Sequence, residues 1–575
     1  MANLFVSLAG NDTADGTSAA TAFATLEAAQ EAARLTPGGD TVTIEAGVHE
    51  LARPILLNAA DSGTTYTGEP GAVLSGGGED MSLVVIDGAS NVTISGLGFT
   101  NTGDSGDYDT LQAAVHVTGN TSNITITKGD FTDVAMGVST FFGANHVTVS
   151  DSKFTDTLGP AINFNDGSSE NTASGNTILR SGSEHTEGGA IQMYESWGNL
   201  ISHNSIKDVP RHGIEEQSWD ATNKSGGNVI DSNRITNYMG ATEDGGAIYL
   251  FGGDDPFFPR PTTITNNRIE GTADDFSWGI YLDDLVNGAN VSGNWVDGGG
   301  VASLMIHGGD LNEVANNVLL NGGQYGITLQ EGLVAPGPAR LDNIHDNIIA
   351  PGEGIFGASS FNPLQFHDNL YIGGPDSQYF GWDFETFEEW QASGGDRGSV
   401  VVDSIPGGIG DPDNPIDGPD LPGLPDLLPP DFDPDLPNFR PDWDPILGAG
   451  EGPGLPPPDG PDLPEVPDGV GLDTLLLQLS ANYLQTAPSF IVSVDGEEVG
   501  EGDVTARHFF DVNENFEFRG DWGPGEHEIT IDFINDNPVR NLWVEDVYFG
   551  DERIGPARDV EVGALPGDRL TFTVG

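Results

Sequence analysis

Asn-Val-Thr-Ile-Ser-Gly-Leu-Gly-Phe (91–99), Asn-Ile-Thr-Ile-Thr-Lys-Gly-Asp-Phe (123–131) and His-Val-Thr-Val-Ser-Asp-Ser-Lys-Phe (146–154) are three versions of one unit. Within each unit apolar and polar residues alternate with period two, as a strand with one inward face requires. Later units carry an asparagine before the second apolar pair: Asn176, Asn204, Asn233, Asn267, Asn294, Asn317 and Asn347. Their spacing of 23 to 34 residues is that of one solenoid coil with variable loops. Asparagines stacked at one turn can hydrogen-bond along the stack and satisfy backbone groups of the adjacent coil. A leucine-rich repeat would need a Leu-x-x-Leu-x-Leu skeleton, which is missing, and a propeller would need longer units of four strands. The expected fold is therefore all-β, a parallel β-helix.

Outward from the repeats, the N-terminal part contains a strand near residues 3–10, a short amphipathic helix over Thr25–Leu35 and a strand ending at Gly47. This opening resembles the N-terminal cap of secreted right-handed parallel β-helix enzymes that act on polysaccharides, in which a helix covers the first coil. A bare terminal coil would expose unpaired strand edges. The stretch from Phe380 to Asp403, with Trp390-Gln391 and Ser399-Val-Val-Val, resembles the tail that closes such helices. Residues 1–404 are thus expected to form one right-handed parallel β-helix.

Pro, Asp, Gly and Leu dominate from Pro406 to Pro467, a composition that cannot bury a core and is kept extended by its prolines and charges. Residues 405–470 are read as an acidic linker. Beyond it, 471–575 holds short alternating strands split by glycine turns, which indicates a β-sandwich. Its Ser-Val-Asp-Gly (493–496), Gly-Asp-Trp-Gly-Pro-Gly-Glu-His (520–527) and Arg-Asn-Leu-Trp-Val-Glu-Asp (540–546) resemble the calcium-dependent xylan-binding carbohydrate modules. One loop is shorter here, with only Asn537, Pro538 and Val539 between Asp536 and Arg540. The resemblance implies a carbohydrate-binding module with a Ca²⁺ site.

The chain has 575 residues, enough for more than one core, and no cysteine, which excludes disulfides and thiol chemistry. Its 89 Asp and Glu against 20 Lys and Arg give a formal charge of −69. Such a surface repels nucleic acid and anionic membranes. It also suits a salty medium, where dense carboxylates stay hydrated. No run is long enough for a membrane span, and the first ten residues lack a basic region followed by an apolar one. Either a cytoplasmic protein or one exported without a cleaved N-terminal signal fits. The partner class favours the second, an extracellular and monomeric protein.

Three stretches carry the chemistry. They are Thr-Glu-Asp-Gly-Gly-Ala-Ile-Tyr (242–249), Trp-Gly-Ile-Tyr-Leu-Asp-Asp (278–284) and Leu-Met-Ile-His-Gly-Gly-Asp (304–310). Each is a short apolar strand with an acid or histidine at one end. Two carboxyl groups facing a groove can hydrolyse a glycosidic bond, one as acid and one as nucleophile or base. Asp244 and Asp283 fall on successive coils once one loop is allowed for, but one precedes its strand and the other follows. Their meeting depends on the corners. Taken singly, Asp244 is also an ordinary turn residue, Asp283-Asp284 a solvated turn or calcium site, and His307 a core histidine.

In this order the three motifs resemble the core of the β-helix glycoside hydrolases of family 141, the α-L-fucosidase and xylanase group. A related β-xylosidase family of the same fold has its nucleophilic aspartate after a similar Gly-Ile-x-Leu. The resemblance implies Asp283 as nucleophile or base and Asp244 as acid, with Asp284 and His307 beside them, no cofactor and no catalytic metal, and a polysaccharide or oligosaccharide substrate. Glu187 and His212 hold comparable places on the preceding coils and are assigned to the substrate groove. Tyr249, Trp278 and Tyr281 are candidates for stacking on sugar rings. Two rivals stand. A lyase or uronan epimerase needs a base and a cation against the uronate, for which Lys207 and Arg211 are the best candidates. A surface or tail-spike-like protein would only bind glycans.

Overall fold

In the computed structural model the described residues run from 2 to 402, less loop segments of which 253–260, 331–341 and 374–385 are the longest, and resume in the strands between 474 and 574. The expected linker and the shortened 537–539 loop lie outside the described residues, as does Asp310. The chain divides into two compact units, Met1–Asn438 and Phe439–Gly575.

The first unit is a parallel β-helix, as the repeats require. Each complete coil supplies one short strand to each of three sheets, and the terminal coils are incomplete. Sheet 1 runs through 14 strands from Asn3–Val6 to Phe366–His367, and sheet 2 through 14 from Gly47–Glu50 to Val400–Val402. Sheet 3 has 12 strands, from Ile55–Leu57 to Gly354–Ala358. All pairings run parallel, so equivalent residues of successive coils stack about 4.8 Å apart. One inward column of sheet 2 reads Phe99, Phe131, Phe154, Ile178, Ile206 and Ile235. Its phenylalanine rings stack at 4.6 and 4.5 Å. The period-two alternation is this column seen from the side.

The corner between sheets 1 and 2 takes two residues. The first is left-handed: His203, Ser232, Asn266 and Asn316 have φ of 57°, 54°, 55° and 57°. Asn and Gly tolerate that conformation best, which accounts for the polar, glycine-rich corners. The second is the repeated asparagine. Asn204 Oδ1 accepts from the backbone N–H and side-chain amide of Asn176 at 3.0 and 2.9 Å, and its own amide donates to Ala173 O at 2.9 Å. The ladder continues through Asn233, Asn267, Asn294, Asn317 and Asn347 to Asn369. A second ladder through Asn171, Asn199 and Asn228, at the corner between sheets 3 and 1, has no equal sequence signal.

Both ends of the helix are covered. The helix Leu26–Arg34 is capped by the Thr25 hydroxyl, which accepts from Ala28 N–H, and buries Leu26, Ala29 and Ala33 on the first coil. Arg34 is anchored on the buried Asp61 at 2.6 Å. At the other end the helix Phe387–Ala392 inserts Trp390, whose indole N–H donates to Asp396 Oδ2 at 2.8 Å. The second unit consists of two antiparallel sheets sharing one core of Leu475, Leu477, Phe490, Val492, Ile529, Ile531 and Val544.

Candidate active site

The outward face of sheet 3 carries two rows of side chains. Register places Gln192, Glu215, Tyr249, Tyr281, Met305 and Thr328 in one row. Tyr194, Gln217 and Phe251 begin the adjacent row, and His307 and Gln330 continue it. Asp283 stands between them. It follows Leu282, which pairs with Leu250 and Ile306, and its N–H donates to Leu250 O at 2.9 Å.

Three donors converge on the Asp283 carboxyl group. Tyr249 Oη donates to Oδ2 at 2.6 Å, His307 Nδ1 lies 2.6 Å from Oδ1, and the Asp284 N–H donates to Oδ1 at 2.8 Å. Accepting three hydrogen bonds is the pattern of a carboxylate rather than a carboxylic acid. Tyr281 Oη reaches His307 Nδ1 at 3.4 Å, and the Tyr249 and Tyr281 rings meet edge to face at 5.2 Å. Burial, and next the Asp283 charge, push both phenols above their ordinary range, so both remain protonated donors.

Asp244 lies near enough to feel the Asp283 charge. It opens the strand Gly245–Phe251 in a left-handed conformation, φ 61°, and its N–H donates to Phe276 O at 2.9 Å. The residue is exposed by area, yet protein crowds its carboxyl. Its pKa is raised first by burial and next by the charge of Asp283, against the opposing pull of His307 and Arg211. The corner bends that the sequence left open therefore bring the two aspartates within electrostatic reach of one another.

Behind this pair lies a layer of buried groups. His212 is fully buried, stacked on Tyr249 at 4.3 Å with the rings 8° from parallel. Arg211 Nε donates to His212 Nε2 at 2.9 Å, leaving Nδ1–H to donate to Gly246 O at 3.1 Å. Burial, and then Arg211, lower the His212 pKa to about 3. His212 is thus a neutral support beneath Tyr249 rather than a groove residue, because Tyr249 covers its face. Trp278, expected to be open to sugars, is 2% exposed, packs on Tyr281 at 4.6 Å and donates from its indole N–H to Thr328 at 2.9 Å. Tyr281 is 3% exposed, so among the aromatics these two act as packing. Tyr249 is 8% exposed and presents its hydroxyl to Asp283 rather than an open ring face.

Glu187 lies elsewhere on the same face. With Tyr108, Asn165, His185, Gln192, Tyr194 and Gln217 it lines a cleft of about 620 Å³ on earlier coils. Of the cations considered, Lys207 is exposed on sheet 2, and Arg211 is committed to His212. Two acids escaped the sequence reading. Glu215 is completely buried and Glu216 nearly so, and burial raises both to a pKa of about 7. Glu215 accepts from Gly189 N–H at 2.5 Å and from the Gln217 amide; Glu216 accepts from Thr262 Oγ1 at 2.9 Å. Ile-Glu-Glu-Gln (214–217) carries no sequence motif that marks its acids as buried.

Among the described residues, Asp283, Asp284 and His307 also bring potential ligand atoms within 4.8 Å of one another, a spacing that could hold a metal ion. Two carboxylates and one imidazole form a mixed donor set of a kind that several divalent ions accept.

A solenoid of parallel coils with a polar, acid-bearing face defines the class. The chain belongs to the right-handed β-helix family, whose model (right handed beta helix region) matches residues 80–230 and 189–370. No curated protein sequence matches it. Solved structures of similar outline include a lacto-N-biosidase from Eubacterium ramulus, 13% identical, covering 70% of this chain and 67% of that one, TM-score 0.38. The A-module of the mannuronan C-5 epimerase AlgE6 from Azotobacter vinelandii is 14% identical over 66% of this chain and 94% of that one, TM-score 0.34. An alginate lyase from a Paenibacillus species is 15% identical over 61% and 97%, TM-score 0.30.

Proposed function

We propose that the protein is a polysaccharide-active glycoside hydrolase for xylose- or fucose-containing glycans, with Asp283 as nucleophile or base and Asp244 as general acid. The observation that carries this reading is the contrast between the two aspartates. Asp283 accepts three hydrogen bonds, whereas Asp244 holds its proton more tightly because of burial and the Asp283 charge. A carboxyl held in place by three donors suits the nucleophile or base, and one whose proton is held more tightly suits the acid. Asp244 would protonate the leaving oxygen while Asp283 attacks the anomeric carbon or activates water. Tyr249 and His307 hold the Asp283 carboxylate in one orientation. No metal takes part in this scheme.

The lyase or epimerase alternative rests on Arg211, the cation at the site. Its charge acts on Asp244 and Glu215, and Asp283 and Asp284 add two more acids to the same region, so a uronate would meet net repulsion, and hydrolysis of a neutral glycan is the better fit. The C-terminal unit is read as a carbohydrate-binding module with a calcium site, and the whole as an extracellular monomer that meets its polymeric substrate there. The test is a reducing-sugar screen over xylan, fucosylated glycans and uronans, run beside the absorbance of unsaturated products. New reducing ends without absorbance, abolished in Asp283→Asn, support hydrolysis; an absorbance rise establishes elimination instead.

A further inference from the structure

The acid-Gly-Gly motif occurs twice on this face. Glu187-Gly188-Gly189-Ala190-Ile191 repeats as Asp244-Gly245-Gly246-Ala247-Ile248. Ile191 pairs with Ile214 and Ile214 with Ile248, so the copies sit two coils, or about 10 Å, apart in equivalent positions. The glycines do the same work in both. A Cβ on Gly188 would lie 2.4 Å from Tyr108 Oη, and one on Gly245 would lie 2.3 Å from His212 Cε1. Each copy therefore makes room for a ring and places an acid beside it.

The first copy borders the cleft of about 620 Å³. Its polar groups are fixed in advance. Tyr108 Oη donates to Gln192 Oε1 at 2.5 Å, and the Gln217 amide donates to Glu215, itself anchored by Gly189 N–H. Amides and phenols held on a rigid sheet, with one carboxylate at the rim, are the groups that recognise sugar hydroxyls. The described lining offers no Lys or Arg, and His185 is bonded to Asp104 at 2.9 Å, so an anionic sugar has no counter-charge.

We propose that this cleft is a distal subsite for a neutral sugar residue of the same chain that Asp283 and Asp244 cut, so that the substrate is a linear glycan lying along the helix axis. This inference rests on the hydrolase reading. A sugar ring spans roughly one coil, and the two motif copies are about 10 Å apart, so one ring cannot occupy both places. The substrate must be at least three residues long.

The experiment uses the full chain with linear xylo-, gluco- and manno-oligosaccharides of two to six residues. On a cleaved series, kcat/KM should rise with length, and Gln192→Ala should lower it about tenfold on the long members with a much smaller loss on the shortest, the worth of one hydrogen-bonded contact. Equal losses at every length, or none, overturn the subsite. Calorimetric binding to Asp283→Asn protein separates this from the chemistry. Length-dependent affinity that falls in Asp283→Asn/Gln192→Ala sustains the subsite even if hydrolysis is disproved. No binding of any length, or a preference for uronate oligomers run alongside, overturns it.

Discussion

Tyr249 and Asp283 are joined across one coil by a 2.6 Å hydrogen bond, hydroxyl to carboxylate, while the opposite face of the tyrosine ring lies flat on the neutral imidazole of His212. One side chain thus connects the Asp283 carboxyl group to a buried support. The hydroxyl is the part that matters to the charge, and the ring is the part that matters to the packing.

Tyr249→Phe keeps the ring on His212 and removes the hydroxyl. A hydrogen bond to a charged group contributes about 1.5–3 kcal/mol, so kcat should fall roughly 10- to 100-fold with little change in melting temperature. Steady-state kinetics and a thermal melt check the two halves separately.

Asp283→Asn should lower turnover by several orders of magnitude, since neither attack nor water activation survives without the charge. Asp244→Asn should damage substrates with poor leaving groups most, and aryl glycosides that need no proton least. Comparable activity of Asp283→Asn and the parent would refute the assignment.

Chelation gives a third check, because Asp283, Asp284 and His307 have metal-ligand spacing. Under the proposed scheme, dialysis against EDTA leaves kcat on a soluble oligosaccharide unchanged. Loss of activity restored by a divalent ion would make this cluster a metal centre.

The buried glutamates set a pH dependence of stability. Glu216 has a folded pKa of about 7 against an unfolded value of 4.5, the folded state binding the proton more tightly. Its neutral form is therefore accommodated fully below about pH 4.5, and stability is lost as pH rises through about 7, by an amount on the order of 3 kcal/mol. Glu216→Gln, neutral throughout, should remove this part of the slope between pH 5 and 8 in denaturant titrations.

Asn233→Ala interrupts the ladder. It strips partners from Asn204 N–H, the Asn204 amide and Ile201 O, all buried. With each of the three lost partners costing about 1–3 kcal/mol, a destabilisation of at least about 3 kcal/mol is expected in chemical denaturation.

The sequence alone determined the repeating architecture, because its causes are local and recur in every coil. Alternation follows from a strand with one inward face, and the corner asparagines follow from a two-residue turn that needs a left-handed residue and a ladder partner. It also offered Asp244, Asp283 and His307 as candidates, through motifs at strand ends. It did not show that Glu215 and Glu216 are buried, since nothing in Ile-Glu-Glu-Gln itself says that neighbouring side chains cover it. Nor did it separate His212 and Trp278, which are covered by other rings, from groups that face the cleft. Only the tertiary structure brings Asp244 within electrostatic reach of Asp283. Loops of unequal length separate the coils along the chain, so no spacing encodes which side chains meet; the parallel register and the bend of each corner do.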